Sequence, residues 1–334
     1  MAALSTANPT LLDLARVLDP NGKVTTEIVE ILTSVNEILD DMTWQEGNLP
    51  TGHRSTIRTG IPAPTWRKMY GFVTPNKGTT AQITDACGML EAYSEVDKAL
   101  VDLSGNAAAF RMSEDAAHVE GISQELADTL FFGNEGSEPE AFTGLAPRFN
   151  SLSAANGENI IDAGGTGSDN NSIWLCVWSP RSGFGIVPRG SKAGLQQRDL
   201  GEVTVTDVSG QTAGLYQAYR THYRFDAGLC IRDWRYFVRI ANIDKSDRTK
   251  DAATGADLSD LMFQAIRKVP NLAAGRPAFY MSRDMATFLG RQTSNLTKNS
   301  TLTAENVGGR VIERFHGIPV RRCDVLAANE ARVT

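Results

Sequence analysis

NAAAFRMSEDAAHVEGISQELADTLFF, Asn106 to Phe132, is the stretch whose reading decides the fold. Ala108, Met112, Ala116, Val119, Ile122, Leu126 and Leu130 follow one another at intervals of 4, 4, 3, 3, 4 and 4. That spacing places all seven on one stripe of an α-helix. Arg111, Asp115, His118, Glu125 and Asp128 point elsewhere and form the wetter side. Ser104 or Asn106 is placed to cap the start, and Gly133 to end the helix in a left-handed turn. At about 1.5 Å per residue the rod is roughly 40 Å long, more than twice the usual globular helix. Gly121 inside it costs about 1 kcal/mol relative to Ala, which predicts a close neighbour at that point. Taken alone, the stretch fits the long core helix of an ordinary α+β enzyme first.

Upstream, Thr25 to Met42 reads as an amphipathic helix with Ile28, Ile31, Leu32, Val35, Ile38 and Leu39 on one face. It follows a turn at Asp19-Pro20-Asn21-Gly22 and precedes any domain core, so its apolar face needs a body to lie on. Trp44 to Thr74 changes character. It is rich in Gly, Pro and Thr and carries Arg54, Arg58, Arg67 and Lys68 against Glu46 alone. Arg54–Thr59 and Trp66–Val73 are read as the two arms of a long β-hairpin. Such a hairpin has little apolar mass between its arms, is marginal by itself and invites another chain to its edges. A long surface loop is the blander reading, but loops of this length are uncommon without a task. Met89, Tyr93, Val96 and Leu100 stand at helical spacing ahead of the long helix.

Downstream, Ile173 to Ser179 is apolar on both faces, the mark of a buried strand. Phe184–Val187 is expected to pair with it across Pro180–Gly183. Tyr219 to Phe225 and Trp234 to Ile240 alternate with period 2 and read as half-buried antiparallel strands, with the long helix across their sheet. Asp244–Gly255 is a polar connection. Leu258–Val269 reads as a helix, Ala278–Met281 as a strand, and Ser282 as the cap of a second helix. Val311–Val325 gives two strand segments around His316-Gly317, closing a small α/β unit.

The 334 residues are 41% apolar and 22% charged with net charge −6, ordinary for a soluble globular protein and unlike one that coats nucleic acid. No apolar run has the length of a membrane span, and MAALSTANPT is not a secretory signal. Cys87, Cys176, Cys230 and Cys323 are unpatterned, which suggests neither a zinc site nor a disulfide framework and fits synthesis in a reducing compartment. The glycines of Gly164-Gly165-Thr166-Gly167 precede a strand, the wrong order for a dinucleotide loop. No metal, nucleophile or phosphate motif is present, the four histidines stand alone, and no catalytic residue or cofactor is assigned.

The order of these pieces resembles the major capsid proteins of tailed bacteriophages, which have the Hong Kong 97-like fold. The stretches Glu46–Arg67, Asp226–Asp244, Arg276–Leu289 and Phe315–Leu326 resemble those of short-tailed phages, the Bordetella phage type above all. The likeness covers most of the chain. It implies an α+β fold with an N-terminal arm (1–43), an extended loop with its lead-in (44–99), a peripheral domain with the spine helix over an antiparallel sheet (100–250), and a small α/β axial domain (251–334). Gly317–Val320 falls later than its counterpart in many relatives, which implies permuted wiring. The resemblance further implies self-assembly into pentamers and hexamers of an icosahedral shell around double-stranded DNA in the virion. Assembly would take place in the host cytoplasm, with cement, scaffolding and portal proteins as further partners and no membrane. Some relatives cross-link Lys to Asn; no residue set here supports that, so a non-covalent lattice is expected.

On this reading Glu46, Arg54, Arg58, Trp66, Arg67 and Lys68 carry the loop's contacts to neighbouring copies, and Ile28, Ile31, Val35 and Ile38 those of the arm. The competing readings are an enzyme whose site is assembled from scattered carboxylates, and a self-associating cytosolic binding module.

Overall fold

The computed structural model describes residues 36–207, 214–247, 255–295, 302–307 and 310–334. Of the expected arm helix, these include only its end, the one-turn α1 (Ile38–Asp41). Next come β1 (Trp44–Glu46), β2 (Gly52–Gly60), β3 (Thr79–Asp97), α2 (Lys98–Leu103), α3 (Ala107–Phe132) and α4 (Leu145–Arg148). Strands β4 (Ile160–Asp162), β5 (Asn170–Trp178), β6 (Gly183–Val187), β7 (Gln196–Asp207), β8 (Gly214–Ile231) and β9 (Phe237–Asp244) follow. The chain continues with α5 (Leu258–Lys268), β10 (Arg276–Met281), α6 (Arg283–Asn295), β11 (Leu302–Val307), β12 (Arg310–Phe315) and β13 (Ile318–Arg322). These elements form two compact units. The larger takes Glu37–Gly88, Thr129–Ser191 and Ala227–Thr334, and the smaller includes Met89–Asp128 and Lys192–Asp226.

The larger unit is built on a seven-stranded sheet of order β11-β12-β13-β10-β5-β9-β4. Every residue of β5 is buried, as its two apolar faces demand. Ile173, Leu175 and Val177 meet Met262, Ala265, Met285 and Leu289 of α5 and α6 in one core. Asp257 caps α5 through Ser259 N, and Ser282 caps α6 through Met285 N, the second as the sequence leads one to expect. The alternate residues Trp174 and Trp178 enter an aromatic layer with Phe131, Phe149, Phe237 and Tyr280. There Trp178 Nε1 donates to Tyr280 Oη at 2.8 Å. Arg239 is buried over the Trp174 ring and paired with Glu330. The last stretch is continuous with earlier strands, because β10 pairs with β13 on one side and with β5 on the other.

Two expected hairpins are wired differently. Both edges of β5 are taken by β9 and β10, so β6 meets it only at the Ser179–Gly183 bridge and pairs instead with β8 and β1. The returning arm of the long hairpin is β3, not Trp66–Val73: Gly52↔Ala86 through Gly60↔Thr79 are in register. Pro62, Pro64 and Pro75 cannot donate to a ladder, whereas the Thr- and Ile-containing run Thr79–Thr84 suits one. The helical reading of Met89 and Tyr93 fails too. Their separation is also even, so it fits one face of the 19-residue strand β3, and helix begins only at Lys98.

The smaller unit contains α2, most of α3, the second half of β3 and the β7–β8 ladder, Gln196↔Arg224 to Asp207↔Gly214. Among the described residues its apolar core cluster is small: Val96, Leu100, Val101 and Phe110. Polar contacts do much of the rest. Glu95 accepts from Tyr216 Oη at 2.6 Å and from Arg220 Nε at 2.9 Å, and His222 stacks on Tyr93.

Helix α3 spans Ala107–Phe132, capped by Asn106 through Ala109 N at 3.2 Å. Only three of the seven positions of its expected stripe are buried. Ile122, Leu126 and Leu130 point inward, but Ala108, Met112, Ala116 and Val119 are exposed. In that first half the wetter side faces the sheet. Arg111 Nη2 donates to Asp199 Oδ1 at 2.8 Å and Thr221 Oγ1 at 3.3 Å, and its guanidinium lies over the Tyr219 ring. Burial, and then Asp115 at its side, push the Tyr223 hydroxyl up to about 12. The sheet face of Tyr219, Thr221 and Tyr223 offers hydrogen-bonding groups, so the helix turns its polar side to them. Gly121 has open space around its Cα instead of a close neighbour. Gly133 is not left-handed. A Cβ there would come within 2.6 Å of Phe142 O and Thr129, so close packing is what requires glycine.

Candidate interaction surface

The β2–β3 hairpin has a pinned root and a bare tip. At the root, Gly52 lies so close to β3 that a Cβ would stand 2.1 Å from Asp85 O. Asp85 is buried opposite His53, and Arg148 holds it with an Nη1–Oδ1 contact of 2.8 Å. The same guanidinium donates to Thr143 O and Leu229 O, so it ties three segments of the larger unit together. Arg232 Nη2 donates to His53 Nε2 at 3.4 Å, and the His53 ring stands edge-on to Phe184. Burial, then Arg232, hold His53 below its usual value, with Asp85 opposing them. Burial pushes the Cys230 thiol up to about 12, with Asp85 adding to the shift. Asn48 braces the start of β2 by bonding both the N–H and the carbonyl of Arg54 at 2.7 Å.

The tip, residues 61–78, has no regular structure apart from a turn at 69–70. Asn76 Nδ2 donates to Ala63 O at 2.6 Å, and Gly71 N to Lys68 O at 3.0 Å. Trp66 and Tyr70 are fully exposed, and Phe72, Met69 and Ile61 are 92%, 87% and 84% exposed. Between Arg54 and Thr84 the sequence has five cations, Arg54, Arg58, Arg67, Lys68 and Lys77, and no Asp or Glu. Covering each large apolar side chain is worth about 1.5–3 kcal/mol, so the patch as a whole favours association strongly.

The residues expected to make contacts fall into three groups. Trp66, Arg67 and Lys68 lie together at the exposed tip, with Arg58 exposed on the arm below. Glu46 and Arg54 are exposed but engaged: Glu46 Oε1 accepts from Gly190 N at 3.0 Å, and Arg54 Nε donates to Thr84 Oγ1 at 3.2 Å. Ile38 is fully buried within its own chain, an anchor rather than a contact to neighbours. Ile28, Ile31 and Val35 lie outside the described residues. Met69, Tyr70 and Phe72 are exposed at the tip as well, as are Met112 and Val119 on α3, and none of them is among the expected contacts. The signal for the first three was aromatic and long apolar side chains in a Pro- and Gly-rich stretch with no periodicity. Among the described residues no three His, Cys, Asp or Glu side chains group to hold a metal, and no helix is long and apolar enough to cross a membrane.

The chain of the bacteriophage JBD30 capsid matches with a TM-score of 0.51 over 90% of this chain and 95% of that one, at 8% identity, a likeness of fold alone. A long helix, a two-stranded hairpin and a mixed sheet under two helices thus define the Hong Kong 97-like fold. A chain of bacteriophage Epsilon15 matches over 100% of this chain and 99% of its own, at 39% identity and a TM-score of 0.78. The model of the family "major capsid protein GP7" matches residues 19–334, and the chain belongs to that family. No curated protein sequence matches.

Proposed function

We propose that this major capsid protein closes an icosahedral shell of pentamers and hexamers by non-covalent overlap between copies, in the manner of short-tailed phages of the Bordetella type. Trp66, Arg67 and Lys68 at the tip and Arg58 below it carry the loop's part, with Glu46 and Arg54 at its base; Ile28, Ile31 and Val35 carry the arm's. A head-to-tail contact of this kind repeats until rotation closes the shell, so no single interface needs to be strong. Packaged double-stranded DNA fills the inside without sequence-specific contacts. Cement, scaffolding and portal proteins are its further partners, and assembly takes place in the host cytoplasm. The axial domain at the symmetry axes is 251–334; 1–43 is the arm, 44–99 the extended loop with its lead-in, and 100–250 the peripheral domain.

The observation that supports this reading is the exposed, apolar and basic tip on a rigidly held root. Its test is to replace residues 61–78 by Asn-Gly, a two-residue turn that suits the paired ends Gly60 and Thr79. In negative-stain images the full chain is expected to give closed particles and the shortened chain none. Closed particles from both would refute the loop's role.

A further inference from the structure

Besides the hairpin tip the chain carries a second cationic surface, at one end of the seven-stranded sheet. Strand β5 runs into this end, and β4, β9 and β10 start from it. The segments 157–159, 179–182, 232–236 and 267–275 close it. With Arg276 at the start of β10 they bring Arg181, Arg232, Arg235, Arg267 and Lys268 to one end, all six cations exposed. Gly275 passes so close to Ser179 that a Cβ would stand 2.9 Å from the Ser179 Cβ, which sets Arg276 beside the turn of Arg181. The acids of these segments are Glu158 and Asp233, and Arg235 already holds Asp233 at 2.7 Å. Five cations therefore stand against Glu158 alone, in a chain whose net charge is −6.

Arg267 and Lys268 also complement the C-terminal end of the α5 dipole, but Arg181, Arg232 and Arg276 complete no helix. Carbonyls and a ring, not carboxylates, engage these cations. Arg232 Nη1 donates to Pro180 O at 3.0 Å, Arg267 lies over the Phe263 ring, and Lys268 donates to Glu158 O. The opposite end of the same sheet is the reverse. There the segments 162–169, 244–247, 257–260, 283–284 and 322–324 have eight aspartates against Lys245, Arg283 and Arg322. No large apolar side chain of the cationic segments is exposed, whereas the tip sets Trp66, Tyr70 and Phe72 among its charges. A protein partner would find no apolar centre at the sheet end; a phosphate backbone needs only charge and donors.

We propose that the cationic end of this sheet faces the interior of the shell and meets the phosphates of the enclosed double-stranded DNA. This rests on the reading that the shell encloses such DNA, and names the surface turned toward it. The ends of β10, β5, β9 and β4 span about 15 Å at the spacing of neighbouring strands. Over that length one strand of a duplex presents about four phosphates. Contacts to phosphates alone carry no sequence preference. The aspartate end points away from a polyanion that would repel it.

The test has two parts. In DNA-filled particles irradiated with ultraviolet light, peptides carrying nucleotide adducts should map to 179–182 and 232–236; adducts confined to other segments would overturn the proposal. The unassembled full chain is then titrated against a labelled duplex of random sequence at several salt concentrations. Each phosphate contact steepens the fall of log K with log salt by about 0.9, so Arg181→Gln with Arg276→Gln should flatten it by about 2. The melting temperature and the yield of closed shells should stay those of the native chain. Arg67→Gln with Lys68→Gln should leave the slope unchanged. No binding by the native chain, or an equal slope in the sheet-end variant, would overturn the proposal. A slope lowered by the tip variant alone would give the DNA to the tip and overturn it likewise. Loss of shells from the sheet-end variant would assign that end to a contact between copies, with the same result. Mature particles without DNA would overturn the enclosing-shell reading itself, which none of the other outcomes touches.

Discussion

Strand β5 and the hairpin tip are both apolar-rich, and the chain treats them in opposite ways. All nine residues of Asn170–Trp178 are buried, between two helices on one face and an aromatic layer on the other. At 61–78 the large apolar side chains are open to solvent, Trp66 and Tyr70 completely. Sequence character explains the difference. β5 alternates bulky residues on both faces, in register with partners that bring matching ones. The tip breaks its own ladder with prolines, and among the described residues nothing covers Trp66 or Tyr70. Apolar residues in the first region hold one copy together; those in the second stay open to solvent, as the proposed contact to another copy requires.

Substitutions should therefore separate the two regions by what they disturb. The largest effect on the isolated chain is expected at Arg239, buried on the β5 side of the sheet with Glu330 as its partner and Phe149 O at 2.6 Å. Arg239→Ala leaves Glu330 buried without its counter-charge and should cost about 3–5 kcal/mol, read by denaturant unfolding. Substitution of Arg67, exposed at the tip, should leave unfolding unchanged.

The hairpin root joins the two behaviours and should respond to pH. His53 is held below its ordinary value of 6.5 by burial and by Arg232, so folding favours the neutral ring. Its contribution is complete above that ordinary value and is lost as pH falls through it toward the lower folded value. Cys230 does not add to the trend in this window, since its thiol is protonated throughout. The melting temperature should fall by a few degrees more between pH 8 and pH 5 for the native chain than for His53→Gln. Equal slopes would remove His53 from the account. The smallest effect is expected at Gly121, where an added methyl meets nothing within 4 Å. Gly121→Ala should raise stability by up to about 1 kcal/mol, as judged by thermal unfolding.

Much of the framework was legible in the sequence. The spine helix, the buried strand Ile173–Ser179, both C-terminal helices and the alternating run at Tyr219–Phe225 follow from local periodicity, and each is present. What failed depended on partners distant in sequence. Periodicity marks which residues of α3 share a face, but not that the sheet beneath its first half presents Tyr219, Thr221 and Tyr223 and so draws in the polar face. Adjacency suggested that β6 should pair with β5, but β9 and β10 already hold both edges. Met89 and Tyr93 are four residues apart, a spacing common to helix and strand. For the surface, charge alone singled out Arg58, Arg67 and Lys68. Trp66 was named with them, whereas Tyr70 and Phe72 carry no periodic signal and are marked by their exposure alone.

Sedimentation velocity of the full chain beside the chain shortened at 61–78, with thermal unfolding of each, tests the central claim most directly. The account predicts that both unfold with the same cooperativity and a similar midpoint, while only the full chain sediments as shells. Shells from the shortened chain, or loss of its folded core, would contradict it.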